Sequence, residues 1–100
     1  MTPFFFLPEA DEDLSEAAAW YEEQSPGLGD EFLSEAFRAV ELATSSPDIG
    51  APYRKGTSRL LLRTFPFNLV YRQDHRSILF VAVAHQKRHP GYWRGRVRRL

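Results

Sequence analysis

Cysteine is absent from this 100-residue sequence, which excludes disulfides, thiolate metal sites and a cysteine nucleophile. Long apolar runs are absent as well. Nothing approaches the roughly 20 consecutive apolar residues of a membrane-spanning helix. The one short run near the start, Phe4, Phe5, Phe6 and Leu7, is too short for a secretory signal and meets acids almost at once. The expected location is therefore cytoplasmic, with no membrane partner. Each half of the chain also lacks charge of one sign. Residues 1–50 hold 12 acids and a single base, Arg38, whereas residues 51–100 hold 12 bases and a single acid, Asp74. The formal net charge of zero conceals this division. Segregation of that kind predicts that the second half builds a cationic surface for an anionic partner, with the first half as a solvated or self-neutralising acidic layer. The alternative is that the halves neutralise one another in surface ion pairs, which are individually weak.

What is present is the composition of one globular domain, residues 1–100. Hydrophobic residues make up 43% and aromatics 14%, too much for a disordered chain. A domain of this length buries roughly two-thirds of its unfolded surface, so it folds without staples but with a thin margin.

The apolar run at residues 4–7 reads as a buried strand closed by Pro8, and Pro8 with Glu9 opens a helix. Ala10, Leu14, Ala17, Ala18 and Tyr21 follow helical spacing, with Asp11, Glu12, Asp13, Glu16, Glu22 and Glu23 mostly on the other side. That helix stops before Ser25, Pro26 and Gly27. A second, over about residues 29–43, carries Phe32, Leu33, Ala36, Phe37, Val40 and Ala43 on one stripe. Trp20, Tyr21, Phe32 and Phe37 are assigned to the core on this periodicity. The short link makes the pair an antiparallel hairpin. After a loop rich in Ser, Pro and Gly, the period becomes two from Ser58: Arg59, Leu61 and Arg63 face one way, Leu60 and Leu62 the other. A second strand follows at residues 67–72, a polar turn at 73–76 and a third strand at 77–85, apolar on both sides and so interior to the sheet. The tail, residues 86–100, is short, basic and aromatic. The expected fold is α+β: a helical hairpin on one face of a small, mainly antiparallel sheet, in the order β-α-α-β-β-β. Its other face is then left largely to Arg59, Arg63 and Arg72.

The residues also resemble a known family. A leading strand, then residues 10–14 with the pair Trp20 and Tyr21, then Leu28 and Gly29 running to Phe32, is similar to the start of the RelE/ParE toxin superfamily. Arg63, the triplet Phe65, Pro66 and Phe67, and the triplet Leu69, Val70 and Tyr71 resemble its central hairpin. His85, Arg88, Pro90, Tyr92, Trp93 and Arg96 resemble the ending of the ParE-type branch. The resemblance covers nearly the whole chain. It implies a toxin of a type II toxin–antitoxin pair, with a cognate antitoxin as partner in a hetero-oligomer and no cofactor. The target it implies is DNA gyrase for the ParE type, or mRNA in the ribosome for the RelE type.

Metal-independent RNA cleavage needs a proton acceptor, a proton donor and cations around the phosphorane. Arg59, Arg63, Arg72, Lys87 and Arg88 supply cations, but Glu41 is the last glutamate and Asp74 lies in a turn. His85 is the remaining base, and Tyr92 can imitate the tail tyrosine of a RelE-type nuclease, although it sits in the Tyr-Trp pair typical of the ParE-type ending. The nuclease set is therefore His85, Arg63, Arg59, Arg88 and Tyr92. The binding set, for antitoxin or target, is Arg59, Arg63, Arg72, Lys87, Arg88, Tyr92, Trp93 and Arg96. Tyr92 and Trp93 either stack on bases or clamp the tail onto the sheet. His85 and His89 have the spacing of a metal pair, but Pro90 pushes His89 out of helical geometry and no third ligand is near, so no metal is expected. The lack of a carboxylate base favours the non-nuclease branch. A degenerate toxin that only binds antitoxin is the third reading.

Overall fold

The computed structural model describes residues 2–88 and 90–98. Strand β1 (Phe4–Phe6) leads into helix α1 (Pro8–Gln24) and helix α2 (Leu28–Ser45). Then come β2 (Ala51–Pro52), β3 (Ser58–Leu61), β4 (Phe67–Asp74) and β5 (Ser77–His85), and a tail with a 3-10 turn at Pro90–Trp93 and a one-turn helix, α3 (Arg94–Arg98). The sheet order is β1-β5-β4-β3-β2, with β1 parallel to β5 and every other pairing antiparallel. The expected α+β architecture is present, enlarged by the two-residue β2 and the tail helix. No helix among the described residues is long and apolar enough to cross a membrane.

Pro8 sits in the first turn of α1, where its missing N–H is no loss, and Glu9 and Asp11 complement the positive helix end. Between the helices Gly27 takes φ 89°, the left-handed region open to glycine. The Glu22 carboxylate accepts from the N–H groups of Gly27 and Gly29 at 3.0–3.1 Å, which caps α2 from the preceding helix. At Gly29 the helices touch: a Cβ there would lie 2.6 Å from the Ala18 carbonyl oxygen.

The hairpin packs Leu14, Phe32, Ala36, Ala39, Val40 and Ala43 against Leu69, Tyr71, Ile78, Phe80 and Val83 of the sheet. Phe32 is the centre of an aromatic group, 5.3, 5.2 and 5.1 Å from the rings of Tyr21, Phe65 and Phe67. Two of the four aromatics assigned to the core are not there: Trp20 is 56% and Phe37 49% exposed. At 3.6 residues per turn Phe37 lies about 140° round from Phe32, and Trp20 about 120° round from Leu14. The apolar stripe that enters the core is narrower than hydrophobicity alone marks out. The first strand is likewise not buried, because β1 is an edge with Phe4 42% and Phe5 61% exposed.

Three further expectations change at the strands. β4 runs on to Asp74, so the turn shrinks to His75 and Arg76. β3 ends at Leu61, which leaves Arg63 off the strand that was to carry it. The loop beyond it is tied to α2 through Glu35, whose carboxylate accepts from the Thr64 N–H at 2.6 Å and from the Thr64 hydroxyl at 2.5 Å. Burial alone would raise the Glu35 pKa, but these bonds and those from neighbouring backbone outweigh it and hold it below its usual value of 4.5. A depressed carboxylate stabilises the fold in full above its unfolded pKa, and that share is lost as pH falls through the lower folded value. Glu35→Gln should therefore lose less stability than the parent between neutral pH and the region below 4.5, measured by urea unfolding across pH.

The outer face of the sheet is not bare. The tail folds back across it and buries Trp93, 1% exposed, against Val70, Val81, Ala82 and Ala84, with Tyr53, Tyr92 and Val97 around it. Of the two readings of Tyr92 and Trp93, the clamp describes Trp93.

Candidate functional site

β1 stops at Phe6 while β5 continues to His85, so on the side away from β4 the far end of β5 has no strand beside it. Unpaired strand edges need cover, and here α1 and the tail supply it. The Val83 N–H donates to the Asp13 carboxylate at 3.1 Å, and the Val81 carbonyl accepts from Arg96 Nη1 at 3.1 Å. Asp13 and Arg96 are themselves joined by two hydrogen bonds, of 2.7 and 3.2 Å, with each side chain only 13% exposed. This two-ended pair stands in for the missing strand. Between described residues it is the ion pair that crosses the charge divide; the other, Arg72 with Asp74 at 3.6 Å, lies within the basic half. Mutual neutralisation of the halves through ion pairs between described residues is thus confined to one place.

Above this edge lies a groove of about 610 Å³. α1 contributes Asp13, Glu16, Ala17, Trp20 and Tyr21; β5 contributes Val83 and His85; Pro66, Phe67, Arg88 and Tyr92 complete the lining. Of the predicted nuclease set, the structure gathers His85, Arg88 and Tyr92 here and leaves two members elsewhere. Arg59 stays on β3 with its guanidinium 4.8 Å above the Tyr53 ring. Arg63 lines a small crevice with Glu35, Arg38 and Leu60 to Leu62, beside α2. In the binding set, Arg72 is engaged with Asp74, Arg96 with Asp13, and Trp93 is buried, while Lys87 and Arg88 are exposed. His89 lies outside the described residues, and no cluster able to hold a metal ion occurs among those described.

The groove also holds residues that the sequence argument missed. The sequence places its last glutamate at Glu41 and Asp74 in a turn, yet Asp13 and Glu16 reach the site from α1. The signal was present: Asp13, Glu16, Ala17 and Trp20 stand three and four apart, so they form one helical row along the flank of the apolar stripe. Asp13 is not one of the solvated acids: it is committed to the β5 edge.

The proton chemistry of the groove follows from its hydrogen bonds. His85 Nδ1 accepts from the Lys87 N–H at 3.1 Å, so the neutral ring carries its proton on Nε2 and its free lone pair is already used. Tyr92 is stacked between guanidinium groups, with Arg88 4.0 Å and Arg96 5.1 Å from its ring centre. Burial first, and then the Asp13 carboxylate beside it, push its phenol up to about 12 against the opposing pull of the two arginines. It is a neutral hydroxyl at any physiological pH. Arg88 and Glu16 remain solvent-exposed side chains of opposite sign, with the indole of Trp20 open beside them.

The fold has known counterparts. A chain in the solved structure described as "Chromosomal ParDE TA system from P. aeruginosa" superimposes with a TM-score of 0.76 and 19% identity, over 85% of this chain and 96% of that one. At that identity the likeness speaks for the fold. No curated protein matches the sequence significantly. The model of the family described as the ParE toxin of the type II toxin–antitoxin system, parDE, matches residues 4–90, which hold every groove residue but Tyr92. The chain therefore belongs to the ParE toxin family of type II toxin–antitoxin systems.

Proposed function

We propose that this protein is a cytoplasmic toxin that inhibits DNA gyrase by binding rather than by cutting, and that a cognate antitoxin holds it inactive. The observation that carries this reading is the chemistry of the groove between α1 and β5. It offers an open indole, a stacked Arg88 and the end of a strand, all suited to holding a protein segment. Its histidine has its lone pair engaged and its tyrosine is a very weak acid. The antitoxin segment carries acidic and apolar residues to meet Lys87, Arg88 and Tyr92, and the other exposed bases, Arg63 among them, steer it. Arg96 and Trp93 act from beneath by holding the tail in place. The complex loosens only in part with salt, since the apolar share is not screened.

Purified protein in excess should stop gyrase from supercoiling relaxed plasmid, and antitoxin should restore it. Normal supercoiling at saturating protein would sink the proposal. A second reading rests on Glu16, an exposed carboxylate in the same groove as His85 and Arg88. It makes the protein a ribosome-dependent mRNA endonuclease, and it predicts positioned mRNA cuts that disappear in Glu16→Gln. Intact transcripts in a growth-arrested culture exclude that route, and unimpaired growth on soluble expression would instead mark a toxin that only binds its antitoxin.

A further inference from the structure

The acidic helical hairpin lies on one side of the sheet, and the tail lies on the other. On the tail side, Tyr53 and Trp93 meet with ring centres 5.8 Å apart, and Arg59 stacks on Tyr53 from β3. Those contacts bring the chain segments that flank the two rings together. Arg54 and Lys55 follow Tyr53, Arg94 follows Trp93, and Arg98 is one helical turn further on. Arg54, Lys55, Arg94 and Arg98 are all exposed. Asp74, the single acid of this half of the sequence, is engaged by Arg72. The backbone adds a second observation: Lys55 is held at φ 58°, the one positive φ of a non-glycine residue among those described, in the turn that presents these charges.

We propose that this face is a track for the phosphate backbone of duplex DNA, with Arg54, Lys55, Arg59, Arg94 and Arg98 as its contacts. Five cations on segments joined through the Tyr53–Trp93 and Arg59–Tyr53 contacts match a polyanion. The aromatics on the face decide which one. Binding to single strands relies on open rings on which bases stack. Here Trp93 is buried, Tyr53 is covered by Arg59, and Tyr92 is enclosed by Arg88 and Arg96. An acidic peptide needs apolar anchor points, and the central ones on this face already lie under the tail. What remains is charge on a broad surface, which reads phosphates without reading sequence. The site is separate from the groove, so it does not depend on which target the toxin has.

The test is fluorescence anisotropy of the free protein with a labelled duplex of about 30 base pairs and arbitrary sequence. With five phosphate contacts the affinity should fall roughly 500-fold between about 50 and 200 mM salt. The triple variant Arg54→Glu/Arg94→Glu/Arg98→Glu should abolish binding, while Arg38→Ala, on the helical side, leaves it unchanged. Lys55→Gly separates binding from folding. Glycine accepts the left-handed turn, so the thermal midpoint should hold or rise while the salt slope drops by about one. Absence of duplex binding at the lower salt would overturn the proposal. So would equal or tighter binding of the single strand or of a polyglutamate peptide, or an unaltered affinity in the triple variant.

Discussion

Asp13→Ala is expected to destabilise the fold by about 3–5 kcal/mol, because it removes one partner of an enclosed ion pair and leaves the other charge uncompensated. Arg96 loses both carboxylate bonds but keeps its contact to the Val81 carbonyl, and the Val83 N–H loses its acceptor. For a domain of this size a loss of about 3 kcal/mol lowers Tm by at least about 12 °C. Asp13→Asn keeps one acceptor oxygen for the strand edge and should fall between. The double variant Asp13→Ala/Arg96→Met is the discriminating case. If the harm comes from the stranded guanidinium, adding the second change should recover at least half of the loss, as determined from urea midpoints. A single variant within about 1 kcal/mol of the parent would show that the pair carries little of the fold. Because Arg96 also lies over Tyr92, Asp13→Ala should loosen the groove around that ring, visible as a change in the tyrosine and tryptophan near-ultraviolet signal.

Phe32→Ala has the other large expected effect, about 3–5 kcal/mol, because a fully buried ring leaves a cavity that its neighbours fill only in part. Its three ring partners come from α1, from the loop before β4 and from β4 itself, so the loss is felt in both layers. Phe37→Ala, five residues on in the same helix, is the control. It is 49% exposed, and its change should stay within about 0.5 kcal/mol. Urea unfolding of both proteins decides the matter: equal effects would mean that the helix does not present the face seen here.

These two sites differ in how far the sequence reveals them. Phe32 is legible because core membership on a helix is a matter of period, and its stripe with Ala36, Val40 and Ala43 is regular. Phe37 misleads because its hydrophobicity is right while its angle is wrong. Strand β5 is recovered at both ends, since its apolar run is bounded by the polar turn at its start and by the basic tail after His85. β2 is invisible at two residues, one of them a proline. At the groove, the members His85, Arg88 and Tyr92 from β5 and the tail were legible in the sequence, as was the cationic character of the second half. Asp13, Glu16 and Trp20 were not, because their place depends on how α1 crosses an edge left open some 70 residues later in the chain.

Composition and period by themselves determined the α+β fold class, the exclusion of thiol chemistry, the helical hairpin and the interior strand. Local order also carried the family resemblance that the match over residues 4–90 now bears out. Burial is set by side-chain periodicity, and periodicity is a property of the chain alone. Tertiary structure decided where the charges act. One acid of the first half was drawn into the basic half to close a strand edge, two predicted arginines were parted from the groove, and the tail was laid over the sheet with its tryptophan inward. Each depends on which segments come to lie side by side, and electrostatic and hydrogen-bond partners are set by distance in space rather than along the sequence.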